Sequence, residues 1–143
     1  MYLGTYEHAL DTKGRVILPA KFRDRLENGA FMAKSVDGCL SLYDAEEFER
    51  VAHDMQEQAR RGALERNAVR SFAAGATEAT PDRQGRITIP QNLRQFAELE
   101  RDVVVTGALT RIEIWNSSKW HEMNAEAERA LQAARPGLDD IGI

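Results

Sequence analysis

One stretch of this chain occurs twice, and this repetition constrains the fold more than any other feature. Residues 11–23 read DTKGRVILPAKFR, and residues 82–94 read DRQGRITIPQNLR. The Asp, Gly, Arg, Pro and final Arg are identical, and the positions between them stay mostly apolar. Further matches extend the copies from Gly4 to Phe48 and from Gly75 to Trp120. The chain is therefore predicted to contain two copies of one small unit, so that anything one loop does is offered twice.

The length of the chain favours one core shared by both copies. With 143 residues, the chain has the size of a single compact domain. One copy alone would bury too little apolar surface to be stable by itself. We therefore expect the two copies to fold together.

Each copy shows the same succession of predicted elements. Short β-branched runs at 16–18 and 87–89 are each followed by a proline, which cannot donate to a central strand ladder. A short helix is predicted after each proline, at 20–26 and 91–99. A strand–turn–strand pattern follows in both copies. The pattern is typical of a mainly β fold with attached helices.

Longer helices are predicted after each copy. Asp44 and Glu47 have the spacing of a capping box at a helix start, and Gly62 is expected to end that helix. We divide the chain into a first repeat at 5–47, a helical connector at 48–75, a second repeat at 76–119, and a C-terminal helix and tail at 120–143.

The overall composition is that of an ordinary globular protein, with 43% hydrophobic and 29% charged residues. No apolar run approaches the roughly 20 residues that span a bilayer, and residues 1–4 do not resemble a signal peptide. The single cysteine, Cys39, lies in an apolar run and is expected to be an inert buried thiol. These features predict a cytoplasmic protein with no membrane partner.

Charge is distributed unevenly along the chain. The formal net charge is −4, which argues against a protein coated with positive charge. Residues 11–23 nevertheless hold four basic side chains and one acidic one, a local charge of +3, and residues 82–94 hold three and one, a local charge of +2. Charge asymmetry of this type can direct a negatively charged partner to the repeated loops.

The repeated aspartates do not indicate catalysis. Asp11 and Asp82 suggest a comparison with the paired carboxylates of aspartic proteases, but the loop sequence of those enzymes is absent. An arginine four residues after each aspartate would keep the carboxylate ionised, which is the opposite of what an acid catalyst needs. No nucleophilic triad, phosphate loop or metal-ligand spacing is present in the sequence. We expect no enzyme activity, no catalytic or metal-ligating residue, no cofactor and no small-molecule substrate.

The repeated Asp-x-x-Gly-Arg element is better explained as a shaped cationic loop. Gly14 and Gly85 allow a tight turn with positive φ and a close approach of another backbone. Arg15 and Arg86 then begin a rigid strand, and a guanidinium offers paired donors to phosphate or to guanine.

Asp11 and Asp82 are expected to orient these arginines, or simply to close a β-turn with them. The additional cations in the same loops, Lys13 and Arg83, favour a binding role over a purely structural one. Arg23 and Arg94 lie beyond the prolines, and ordinary surface roles are expected for them.

Several motifs are similar to those of the MraZ family of bacterial transcriptional regulators, which contain two repeats of the SpoVT-AbrB type. They are YLGTY at 2–6, DTKGR at 11–15, LPAKFR at 18–23, AAG at 73–75, DRQGR at 82–86 and IEIW at 112–115. The resemblance covers nearly the whole chain, and two Asp-x-x-x-Arg motifs in this arrangement are highly specific.

The resemblance implies a fold, a partner and an assembly. The two repeats would form a swapped-hairpin β-barrel with a pseudo-two-fold axis within the chain. The protein would be a nucleoid-associated, ring-like homo-oligomer that binds double-stranded DNA at direct repeats upstream of its own division and cell-wall gene cluster. Lys13, Arg15, Arg83 and Arg86 would contact this DNA, and Asp11, Gly14, Asp82 and Gly85 would support the loops.

A second interpretation stays open. The chain could be an AbrB-like antitoxin or another module whose loops and helices bind a protein. Antitoxins of that type usually carry one repeat and a disordered acidic tail, whereas this chain has two repeats and a short tail.

Overall fold

The computed structural model of the protein describes residues 1–143. Eight strands are present: β1 Thr5–Ala9, β2 Arg15–Ile17, β3 Ala30–Lys34, β4 Leu40–Asp44, β5 Thr77–Glu78, β6 Arg86–Thr88, β7 Asp102–Gly107 and β8 Ile112–Asn116. Six helices accompany them: α1 Ala20–Arg23, α2 Ala45–Arg60, α3 Arg66–Gly75, α4 Gln91–Phe96, α5 Ser117–Ala133 and α6 Arg135–Leu138. The predicted mixture of strands with attached helices is confirmed.

The strands of the two repeats are interleaved. One antiparallel sheet has the order β1-β7-β8-β4-β3-β5, and a separate two-stranded ribbon is formed by β2 and β6. The first strand of each repeat pairs with the other repeat, β1 with β7 and β5 with β3. If each strand is replaced by the equivalent strand of the other repeat, the same strand order results, read in the opposite direction. The chain therefore has a pseudo-two-fold arrangement, centred on the β4–β8 and β2–β6 pairs.

The prediction of a closed β-barrel is wrong in one respect. The six-stranded sheet is open, because its edge strands β1 and β5 do not pair with each other. The ribbon does not close the gap, since Pro19 and Pro90 follow it closely and offer no N–H to a longer ladder. The ribbon instead forms a second layer over the sheet.

A common core joins these two layers. Val16 and Ile87 point inward from the ribbon and belong to a cluster of 18 buried residues that also includes Met32, Leu42 and Ile114 of the sheet. The short helices after the prolines, both confirmed, add Phe22 and Leu93 to the same cluster. Because each repeat supplies part of this core, the core is complete only when both repeats are present.

The long helices lie outside the core. The Asp44 side chain caps α2 by accepting a hydrogen bond from the Glu47 backbone N–H at 2.9 Å, as the capping-box spacing predicts. Helix α2 ends at Arg60, shortly before Gly62 with its φ of +76°. Neither α2 nor α5 contains a fully buried residue.

Candidate functional site

The first repeated loop, residues 11–15 (loop 1), is built around the carboxylate of Asp11. One of its oxygens, Oδ1, accepts hydrogen bonds from the backbone N–H groups of Lys13 and Arg15, each at 2.9 Å. The other, Oδ2, accepts from Nε of Arg15 at 2.7 Å. The Gly14 N–H closes the turn on the carbonyl oxygen of Asp11 at 3.0 Å. A single carboxylate thus fixes both the loop backbone and the arginine.

The second repeated loop, residues 82–86 (loop 2), has the same geometry. Asp82 Oδ1 accepts from the backbone N–H groups of Gln84 and Arg86 at 2.9 Å each, and Oδ2 accepts from Nε of Arg86 at 3.0 Å. The Gly85 N–H bonds to the Asp82 carbonyl oxygen at 2.9 Å. The match between the loops indicates that the three residue types they share, Asp, Gly and Arg, specify this shape.

Both aspartates are held in the charged form. The backbone N–H of Arg15, with its guanidinium and the N–H of Lys13, keeps the pKa of Asp11 below its ordinary value. The backbone N–H of Arg86 and its guanidinium do the same to the pKa of Asp82. Two ionised carboxylates at separate loops do not share a proton, so the arrangement differs from an aspartic-protease dyad.

Each loop arginine keeps its outer edge available. Asp11 and Asp82 engage only Nε of their arginine, and the two terminal nitrogens of Arg15 and of Arg86 have no hydrogen-bond partner within the protein. Arg50 on α2 is different, because Glu47 and Asp54 together engage all three of its guanidinium nitrogens. Arg15 and Arg86 are therefore held in a fixed orientation while their terminal nitrogens stay free, and these nitrogens can donate a pair of hydrogen bonds to an external acceptor.

The two arginines lie on one face of the ribbon. Residues alternate between the two faces of a strand, and β2 and β6 both bury their middle residue. Arg15 and Arg86 consequently point away from the core, at diagonal positions of the antiparallel pair. The other predicted cations, Lys13 and Arg83, are exposed beside them and form no ion pair. The structure thus places Arg15 and Arg86 on the outer face of the ribbon, with Lys13 and Arg83 exposed in the loops that lead into it.

Each loop is supported by an arginine that belongs to the other repeat, a feature that the sequence did not predict. Arg94 lies against Gly14, and Arg23 lies against Gly85, so closely that a Cβ at either glycine would overlap the guanidinium. Arg23 Nε donates to the carbonyl oxygen of Leu18 at 3.0 Å, and Arg94 Nη1 donates to that of Ile89 at 2.6 Å. The expected surface roles of Arg23 and Arg94 are therefore wrong, because each arginine braces the loop of the other repeat.

The identity of Arg23 and Arg94 at equivalent repeat positions was the available indication of this role. Both glycines are buried and adopt positive φ, +73° at Gly14 and +79° at Gly85. Glycine is required there for two reasons, the left-handed backbone and the guanidinium beneath it.

No cluster of three or more His, Cys, Asp or Glu side chains is arranged to hold a metal ion. None of the helices is both long enough and apolar enough to cross a bilayer. The Cys39 thiol is buried, as predicted, and burial raises its pKa to about 12.

Taken together, these observations define a class: a tandem-repeat protein that folds as one body and presents two matched cationic loops on one face. A family model described as "MraZ protein, putative antitoxin-like" matches twice, at residues 1–71 and 72–138. The chain belongs to the MraZ family.

Relatives from several bacteria extend the match over nearly the full length. The chain is similar to a protein named transcriptional regulator MraZ from Salinispora arenicola, with 47% identity over 90% of both chains. It is 46% identical to the protein of the same name from Micrococcus luteus over 92% of both chains. The corresponding protein of Syntrophomonas wolfei is 39% identical over the full length of both.

Proposed function

We propose that this protein is a DNA-binding transcriptional regulator that contacts double-stranded DNA through loops 1 and 2. The free terminal nitrogens of Arg15 and Arg86 carry this proposal. A guanidinium whose Nε is already fixed by a carboxylate loses little conformational freedom when its outer edge binds phosphate or guanine O6 and N7. The names of the relatives, all transcriptional regulators, support the same function.

Lys13 and Arg83 add phosphate contacts beside these arginines. Both side chains are exposed and unpaired, so they can neutralise phosphates without first breaking an ion pair. Asp11, Gly14, Asp82 and Gly85 act indirectly, because they fix the loop shape. The repeat boundaries at 5–47 and 76–119 belong to the same proposal, with the helices at 48–75 and 120–143 attached to them.

A homo-oligomer, ring-like in form, would reconcile this function with a net charge of −4. One subunit offers few cations, and the electrostatic part of DNA affinity depends on how many phosphates are neutralised together. Subunits that face successive direct repeats would combine their loops through a high effective concentration. The operator would be direct repeats upstream of the protein's own gene in a division and cell-wall cluster, in a cytoplasmic, nucleoid-associated setting.

The test is fluorescence anisotropy on duplexes from that upstream region and on scrambled duplexes, at several salt concentrations. Arg15→Ala and Arg86→Ala should each weaken operator binding by tenfold or more, because every bound subunit loses the same contact. If the arginine reads a base, discrimination between the two duplexes should also fall. If it holds only phosphate, affinity should fall equally for both and the salt slope should shrink.

Arg50→Ala is a matched control for these variants. It removes one guanidinium from the same chain, but a guanidinium whose donors are all used internally. Its DNA binding and melting temperature should stay close to those of the unmodified protein. Wild-type affinity of both loop variants would show that the repeated loop is only a structural turn.

A protein-binding role is the second candidate, favoured by one apolar groove. The groove has a volume of about 430 Å³ and lies between α2, α3 and the sheet. Phe31 stacks on Phe48 at 4.8 Å, and Phe48 on Phe72 at 6.0 Å, yet all three rings stay partly exposed. Size-exclusion chromatography with and without duplex DNA, beside co-purification of protein partners, distinguishes an AbrB-like antitoxin or protein-interaction module from a DNA-binding oligomer.

A further inference from the structure

The outward face of the ribbon carries two residues besides the arginines. Alternation along β2 and β6 places Arg15, Ile17, Arg86 and Thr88 on this outer face. The antiparallel register sets Arg15 opposite Thr88 and Ile17 opposite Arg86. Each arginine therefore has a side chain of the other repeat as its direct cross-strand neighbour.

The outer face is symmetric in its arginines but not in these neighbours. Ile17 and Thr88 occupy equivalent positions in the two repeats, one apolar and the other hydroxylated. Ile17 is 47% exposed, whereas the ribbon residues facing the core, Val16 and Ile87, are almost fully buried. An exposed isoleucine beside a free guanidinium is a distinct chemical surface, and Thr88 beside Arg15 does not reproduce it.

The dimensions of the outer face fit the major groove of DNA. A two-stranded ribbon can enter this groove, where thymine presents an apolar C5 methyl group and guanine presents two acceptors to arginine. Diagonal positions of an antiparallel pair are about 7–8 Å apart. That separation corresponds to roughly two base steps, which rise about 3.4 Å each.

We propose that Ile17 is a specificity-determining residue that contacts the methyl group of a thymine next to the base bound by Arg86. Thr88, the equivalent residue beside Arg15, is smaller and carries a hydroxyl that bonds to either base pair. The two halves of the ribbon consequently recognise different base steps, although their loops have one shape. This inference rests on the proposed DNA-binding function and assigns the base preference of its two halves.

The experiment replaces thymines by deoxyuridine, which removes only the C5 methyl group. The full-length protein first selects a duplex from a random pool, and each thymine of the selected site is then substituted in turn. Anisotropy should show a loss of roughly fourfold in affinity at one thymine of each site, the value of one methyl-sized group removed from water. Substitution of the other thymines should have little effect.

Two variants identify the residue responsible. Ile17→Ser, which leaves no methyl group at this position, should bind the thymine and deoxyuridine duplexes equally, while Thr88→Ile should acquire greater sensitivity at a second thymine on the other side of the site. Both side chains are exposed, so melting temperatures should change little. Light scattering on each variant checks that its oligomeric state is that of the unmodified protein.

The outcomes separate this inference from the proposed function. If the protein selects no duplex at all, the proposed function fails. Binding that is indifferent to every deoxyuridine substitution overturns the role of Ile17 and leaves the function intact. An Ile17→Ser variant that keeps the thymine dependence, or that loses affinity equally for all sequences, also overturns it. A change of oligomeric state without a change in thymine dependence assigns Ile17 to a subunit contact instead.

Discussion

Loops 1 and 2 have the same shape but present different chemistry. The hydrogen bonds from each aspartate to its loop agree closely, with Nε to carboxylate distances of 2.7 Å in loop 1 and 3.0 Å in loop 2. The extra cation differs in position, since loop 1 has Lys13 where loop 2 has Gln84, and loop 2 has Arg83 where loop 1 has Thr12. The residues that set the shape are identical, and the other exposed residues of the loops are not.

The support that each loop receives from the other repeat explains why the two loops have the same shape. Each loop is braced by an arginine from the other repeat, Arg94 under Gly14 and Arg23 under Gly85. A change in the backbone of one loop therefore disturbs a residue that the other repeat supplies. The outward side chains have no such partner and are free to differ. Duplication followed by divergence of the exposed positions gives one rigid scaffold with two contact surfaces.

The largest effect is expected when the repeats are separated. A fragment of residues 1–61 loses the partners of β1, β2 and one edge of β3, and retains only the β3–β4 pairing. An isolated two-stranded hairpin is marginal in water, so the fragment should not fold as a monomer. Circular dichroism during thermal melting, combined with light scattering, checks this expectation.

A homodimer of the same fragment would agree with the pseudo-two-fold arrangement, because a second copy would take the place of the missing repeat. A monomer of residues 1–61 that melts cooperatively would contradict the shared core. The full-length chain, melted under identical conditions, is the control.

A smaller loss of stability is expected from Gly14→Ala and from Gly85→Ala. Each introduces a left-handed alanine and displaces the guanidinium that donates to Ile89 or Leu18. Together, the backbone strain and the lost charge-assisted hydrogen bond should lower the free energy of unfolding by about 3 kcal/mol. Urea denaturation of the two variants should give similar values, because the loops are braced in the same way.

Gly38→Ala is the matched control for these glycines. Gly38 also has a positive φ, +83°, but no atom would lie within 4 Å of an added Cβ. Its substitution should therefore cost only the backbone strain, about 1–2 kcal/mol. Equal losses at Gly14, Gly85 and Gly38 would mean that Arg23 and Arg94 contribute nothing to the loops.

The sequence alone was sufficient for most of the local elements, although not for strands β1 and β5, and it was not sufficient for their connections. Periodicity, Pro19 and Pro90 locate the short strands and helices, since these features depend on neighbouring residues. The pairing of β1 with β7 and the bracing of Gly85 by Arg23 are contacts between distant residues, and neither periodicity nor composition specifies such contacts. The open sheet was missed for the same reason, because closure depends on whether the edge strands β1 and β5 meet.

The smallest effect concerns one of the two equivalent positions at which the loops differ in charge, that of Lys13 and Gln84. Gln84→Lys adds a cation to loop 2, and Lys13→Gln removes one from loop 1, in both cases on an exposed side chain. The slope of log affinity against log salt should steepen by about 0.9 for each added phosphate contact and become shallower by the same amount for each lost one. The double variant, which moves the charge from loop 1 to loop 2, should restore the slope of the unmodified protein. Phosphate contacts carry no base information, so the two single variants and the double variant should all discriminate operator from scrambled duplex as the unmodified protein does. Anisotropy titrations from low to high salt measure both quantities. An unchanged slope in Lys13→Gln would remove Lys13 from the DNA contacts, whereas altered discrimination in Gln84→Lys would mean that position 84 faces the bases and not the backbone.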